Sequence, residues 1–255
     1  HETYIEHRIS FDVEENVKAV CLLCFPKVKK EKYPLVICLQ GHSKGFHISM
    51  GKPIYPGDEV TISGGDRDFA VQIVKEGYCA LAIEQRDFGE CGGTEKGPAC
   101  GVPTLTGFLL GRTTLGERVF DVMRAIDVVT ANFPFIDAER IACMGNSGGG
   151  TATYYLACLD ERIGAALPSC SICSYEASIA AMPHCLCNHI PYIRKYFEMG
   201  DLAGLIAPRK LVIAAGEKDG IFPIVATKKT FEKIKFIYDS IGKGENCALV
   251  VGERG

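Results

Sequence analysis

The sequence predicts an α/β protein, a mostly parallel sheet with helices on both faces, on the strength of three patterns. Short runs rich in Val, Ile, Leu, Ala and Cys recur, bounded by Gly, Pro and charge, as strands buried on both faces do. Between them, apolar residues repeat every three to four positions, the period of a helix packed on one side. The two kinds of segment alternate, and that alternation builds parallel sheets covered twice.

The elements follow in order. Residues 4–13 and 17–25 alternate polar and apolar around Glu14-Glu15-Asn16 and read as an antiparallel pair at a sheet edge. Residues 35–40 are the third strand. Asp66 is placed to cap a helix with Phe69, Ala70, Ile73 and Val74 on one face, and Gly77 to end it. Residues 78–85 are the fourth strand. Leu115, Val119, Met123, Ile126 and Val129 mark the next helix, residues 140–145 the fifth strand and 164–169 the sixth. Residues 210–216 are the seventh strand, Phe231, Ile234, Tyr238 and Ile241 the last helix, and 247–252 the eighth strand. Residues 88–114, rich in Gly, and 170–208, rich in Cys, His and Met, are too long for short crossovers. Such segments carry function, so they read as site walls, with 170–208 a cap or pocket insertion.

Composition narrows the class. With 47% hydrophobic and 23% charged residues in 255, the chain can bury a sizeable core, and no linker or repeat divides it, so 1–255 reads as a single domain. A net charge of −3 with scattered basic residues offers nothing to nucleic acid or an anionic membrane. Thirteen cysteines lie on apolar segments as often as in loops and are expected to be free thiols in a reducing cytoplasm. Lys27 to Lys32 is a solvated turn. The chain opens on His1 rather than Met and is expected to be truncated at both ends.

The sharpest local feature is Gly145-Asn146-Ser147-Gly148-Gly149, with a buried strand running in and a helix pattern running out. A serine on such a turn is pushed out at the carboxyl edge of the sheet, and Gly145 and Gly149 keep its surroundings clear. The Gly148 N–H then sits at a helix start, where unpaired donors and the positive dipole end can hold an oxyanion.

Together with the strand order, Leu35-Val-Ile-Cys-Leu-Gln40-Gly41-His42 and Ala214-Ala-Gly-Glu217-Lys-Asp219-Gly-Ile-Phe-Pro223, this elbow resembles the α/β-hydrolase fold. It resembles most the dienelactone-hydrolase-like and acetyl-xylan-esterase-like group. The resemblance implies about eight strands, mostly parallel, with helices on both faces and a small cap segment. It also implies a second oxyanion donor, the N–H of His42, although Gln40 departs from the family's His-Gly-x. The acid is implied to be Asp219, with Glu217 as competitor. The base histidine of the group follows the eighth strand, so it is expected beyond Gly255, along with a final helix.

His184-Cys185-Leu-Cys187-Asn-His189 offers zinc-type ligands without finger or ribbon spacing, and Cys170-x-x-Cys173 lies upstream; the segment reads as packed cap, and neither metal nor cofactor is expected. Cys21 and Cys24 sit three apart on a strand and face opposite sides, which excludes a redox pair. Arg86 and Asp87 read as structural. The function that emerges is a serine carboxylesterase acting on a small acyl ester, with acetyl on a carbohydrate implied by the resemblance. The small-molecule ester is its only expected partner. The competing reading is a non-catalytic binding protein of the same fold that lacks the base.

Overall fold

Alternate residues of the third strand part to opposite faces. Leu35, Ile37 and Leu39 enter the larger apolar cluster with the helices that follow, whereas Val36 and Cys38 enter a second cluster with Phe69, Ala70 and Val74. Both faces are therefore buried, which is why this strand reads as a continuous apolar run. The computed structural model describes residues 2–253.

Eight strands form one sheet: β1 (Tyr4–Glu14), β2 (Val17–Pro26), β3 (Tyr33–Leu39), β4 (Cys79–Ile83), β5 (Ile136–Asn146), β6 (Ile163–Ser169), β7 (Lys210–Gly216) and β8 (Cys247–Gly252). Their order is β1-β2-β4-β3-β5-β6-β7-β8. β1 and β2 are antiparallel, β2 meets β4 antiparallel, and the strands from β4 through β8 run parallel. Cys21 and Cys24 fall in different apolar clusters, on opposite faces of β2. All thirteen cysteines are free thiols.

The helices among the described residues are α1 (Asp58–Ser63), α2 (Phe69–Lys75), α3 (Gly101–Leu109), α4 (Thr114–Asn132), α5 (Gly148–Leu159), the single turn α6 (Ile193–Tyr196) and α7 (Ile224–Ser240). Two expectations need correction. Asp66 does not cap α2: it takes a left-handed φ of 49°, and the helix begins after Asp68, whose carboxylate accepts from the Gln72 side chain at 2.6 Å. Residues 88–114 are not merely loop but contain α3, followed directly by α4, where Thr113 Oγ1 accepts from the Gly116 N–H. None of the described helices is long and apolar enough to cross a membrane.

Because β4 to β8 run parallel, the loops leaving β3, β4, β5, β6 and β7 all emerge at one sheet edge. Ligands bind at that edge in open α/β sheets. Gln40 to His42, Glu84 to Gly89, Ser147, Cys170 and Asp219 all sit there.

Candidate active site

β5 ends at Asn146 and α5 starts at Gly148, which leaves Ser147 alone in the turn with φ 52° and ψ −121°. That conformation costs a residue with a side chain about 1–3 kcal/mol. The turn is fixed from both sides. The Ser147 N–H donates to the Ser169 carbonyl at 2.8 Å, and the Ser147 carbonyl accepts from the Thr151 N–H at 2.8 Å. The flanking glycines are demanded by packing. A Cβ at Gly149 would lie 2.0 Å from the Leu39 carbonyl oxygen, and one at Gly145 2.4 Å from the Gly149 oxygen. The start of α5 therefore rests directly on the backbone at the end of β3.

The same contact brings the loop after β3 to the serine. A Cβ at Gly41 would meet the Ser147 Cβ at 3.2 Å, and one at Gly148 would meet the His42 ring at 2.5 Å. His42 and Gly148, named from sequence as backbone donors, are thus side by side at Ser147. The His42 side chain turns elsewhere: its ring lies 5.2 Å from that of Phe88, and Nε2 is 3.1 Å from Cys187 Sγ.

Asp219 lies in the turn after β7, where one carboxylate oxygen accepts from the N–H groups of Ile221 (2.8 Å) and Phe222 (2.9 Å). The competitor Glu217 is tied through its own N–H to the Gly252 carbonyl at 2.8 Å, which joins the end of β8 to this turn. The elbow and the Asp219 turn are bridged by the end of β6. Ser169 receives the Ser147 N–H, and Cys170 donates its N–H to Ala214 at 2.8 Å. Burial raises the Cys170 thiol above its ordinary value, and the neighbouring Asp219 charge adds to this. The sequence placed Cys170 in the cap and missed that bridge. Its one local signal is a left-handed φ of 47°, invisible in residue type.

The 170–208 segment folds over this edge. His184 packs edge-on against Phe222 at 5.6 Å, and its Nδ1 meets the Asn188 amide at 3.2 Å. Burial lowers the His184 pKa. His184 Nε2 and His189 Nδ1 are buried without a partner among the described residues, an uncommon state for buried polar atoms. Cys185 and Cys187 converge with His42 and with Cys100, the residue before α3.

Arg86 and Asp87 are both engaged in ion pairs. Arg86 holds Asp121 through two bonds of 2.7 Å and Glu14 at 2.6 Å, while Asp87 lies 3.6 Å from the buried Arg118. Glu84, not singled out from sequence, clamps the site loops. Its carboxylate accepts the Phe46 N–H at 3.0 Å and packs where a Cβ at Gly45 or Gly89 would otherwise be. Burial pushes that carboxyl up to about 8 from 4.5. The folded state therefore holds a proton between those values that the unfolded chain has released, so this group's contribution to stability falls as pH rises through that window. The stability difference between wild type and Glu84→Gln, read from urea unfolding at pH 5 and pH 9, should shift toward the variant by on the order of a few kcal/mol at the higher pH.

A half-buried serine at a strained strand-to-helix turn, set among the carboxyl ends of parallel strands in an eight-stranded sheet, defines the α/β-hydrolase class, and the protein is a serine esterase of that type. It belongs to the acetyl xylan esterase (AXE1) family, whose model matches residues 3–199. The chain is 26% identical over 234 residues to the presumed hydrolase YtaP of Bacillus subtilis (strain 168), covering 89% of itself and 74% of that protein. Its fold is similar to that of a presumed acetyl xylan esterase from Bacteroides fragilis, with TM-score 0.83, 20% identity and coverage of 99% of this chain and 67% of that one. An acetyl xylan esterase from Paenibacillus sp. R4 matches with TM-score 0.66 and 20% identity over 98% of this chain and 77% of that one.

Proposed function

We propose that the protein removes short acyl groups, acetyl foremost, from a hydroxyl of a carbohydrate or similar small alcohol, with Ser147 as nucleophile. The observation that carries this reading is the strained Ser147 standing between the Gly148 N–H at a helix start and the Gly41-His42 backbone. Membership in a family described by acetyl xylan esterase supports acetyl as the acyl group.

Ser147 Oγ attacks the ester carbonyl while the base takes its proton, and the N–H groups of His42 and Gly148 hold the negative oxygen that forms. Collapse breaks the bond to the alcohol, which leaves with the proton from the base. Water then attacks the acyl-enzyme by the same route in reverse, releasing the carboxylic acid and restoring Ser147. Asp219 orients the base. The base of this mechanism belongs beside Asp219, at the edge where the end of β8, Gly252, pairs with Gly216, three residues short of that carboxylate.

The protein should hydrolyse p-nitrophenyl acetate at least tenfold faster, by kcat/KM, than the octanoate. It should also release acetate from acetylated xylo-oligosaccharides, and a fluorophosphonate should attach to the peptide carrying Ser147. Ligand binding with neither turnover nor labelling would instead establish the non-catalytic relic.

A further inference from the structure

His42 Nε2, Cys100 Sγ, Cys185 Sγ and Cys187 Sγ lie within 4.8 Å of one another, brought together from the loop after β3, the residue before α3 and the cap segment. Two of the separations are 3.1 Å from His42 Nε2 to Cys187 Sγ and 3.3 Å from Cys187 Sγ to Cys185 Sγ. Around a tetrahedral zinc ion, with Zn–S about 2.3 Å and Zn–N about 2.0 Å, ligand atoms stand roughly 3.5–3.8 Å apart. The four atoms therefore bracket that spacing, so small side-chain rotations would seat all of them on one ion. We propose that these four side chains form a structural Zn²⁺ site that fastens the cap segment to the oxyanion loop.

Several features of the surroundings fit an ion of this kind. Three thiolates and one imidazole are a soft donor set that suits Zn²⁺ and leaves no position for a water or substrate, so the site is closed rather than catalytic. Arg118 is 1% exposed, and its guanidinium donates to Cys100 Sγ at 3.3 Å and to the Arg86 carbonyl at 2.7 and 3.0 Å. A buried cation with an N–H aimed at a ligating sulfur favours its thiolate form and fixes its direction. Phe88 completes the wall: the Arg118 guanidinium lies 4.4 Å from its ring centre, and the His42 ring packs on it. Cys100 and Cys187 are buried, whereas His42 and Cys185 are half-exposed and give an ion a way in.

The ion accounts for a feature the esterase reading leaves over. A residue that lends only its main chain to the oxyanion could carry many side chains, but here an imidazole is held against Gly148 by a thiol of the cap. Ligation would lock that imidazole and with it the His42 backbone. This link to catalysis rests on the proposed role of the His42 N–H, whereas the presence of the metal does not.

Metal content measured by plasma mass spectrometry on the protein purified under reducing conditions should give about one Zn²⁺ per chain. Refolding with Co²⁺ should produce thiolate-to-cobalt charge-transfer bands and the intense visible bands of tetrahedral cobalt. Cys185→Ser and Cys187→Ser should each lower retained zinc at least tenfold after mild chelation, whereas Cys158→Ser, outside the cluster, and Ser147→Ala should retain it. Less than a tenth of an equivalent in wild type even when purified with added Zn²⁺, with no thiolate–cobalt bands, would overturn the proposal. So would a mass lower by two hydrogens that maps to a disulfide among these cysteines. Because none of these measurements involves turnover, an inactive protein with full zinc would refute the esterase mechanism alone, and an active protein without zinc the metal site alone.

Discussion

Replacing Ser147 by alanine should lower kcat on an acetyl ester by about 10⁴-fold or more, because no other group can form the acyl-enzyme and only binding and the oxyanion donors remain. The same substitution should leave the midpoint of unfolding nearly unchanged. Alanine keeps a Cβ and therefore keeps the strain of φ 52°, while the turn is held by the Ser147 backbone bonds to Ser169 and Thr151, which do not involve the hydroxyl. Ser147→Gly separates the two properties further. It is equally inactive, yet it should be more stable by about 1 kcal/mol, since glycine escapes a penalty of about 1–3 kcal/mol and pays back about 0.5–1 kcal/mol in backbone entropy. Initial rates together with urea unfolding of the three proteins test this. Equal stability of Ser147→Gly and Ser147→Ala would show that the turn stores no strain.

What the sequence reveals and what it hides follow from how far apart the interacting residues lie along the chain. β3 and β4 are legible because burial on two faces leaves continuous apolar runs, and β7 and β8 match their predicted limits although β8 is largely exposed. The elbow is legible because strand, turn and helix are contiguous, and the Asp219 turn because it lies within three residues of the end of β7. α3 is hidden because Gly101, Pro103 and Gly107 break its pattern and Val102, Leu105 and Leu109 are apolar yet exposed, so no helical stripe emerges. Asp66 and Asp68 are chemically interchangeable as caps, and only the backbone at Asp66 decides between them. The spacing within residues 184–189 matches no metal motif. That segment holds only Cys185 and Cys187 of the proposed zinc cluster, while His42 and Cys100 come from elements far away in the chain. Glu84 and Cys170 are hidden for the same reason, since their partners are loops from other strands.

Gly149→Ala should produce the largest loss of stability of any single methyl group added near the site. The new Cβ would stand 2.0 Å from the Leu39 oxygen, 2.5 Å from the Leu39 carbonyl carbon and 2.7 Å from the Gln40 oxygen. All three are backbone atoms, so no rotamer change relieves the clash, and either α5 must lift off the sheet or the end of β3 must move. Overpacking of a well-packed interior costs about 1–3 kcal/mol and sometimes more, and a clash with backbone belongs at the upper end. At about 2–4 °C per kcal/mol for a protein of this size, that is a fall of roughly 6–12 °C in Tm. Gly204→Ala is the matched control. It has nothing within 4 Å of the added methyl and should change stability by less than about 0.5 kcal/mol. The damage at Gly149 should also reach chemistry, because the displaced backbone at Leu39 and Gln40 leads directly into Gly41 and His42. Activity measured well below the lowered Tm, where the variant is fully folded, should still fall at least tenfold, chiefly in kcat, as expected when an oxyanion donor is displaced. A variant that melts early but retains wild-type kcat at low temperature would show that the His42 N–H does not serve the oxyanion.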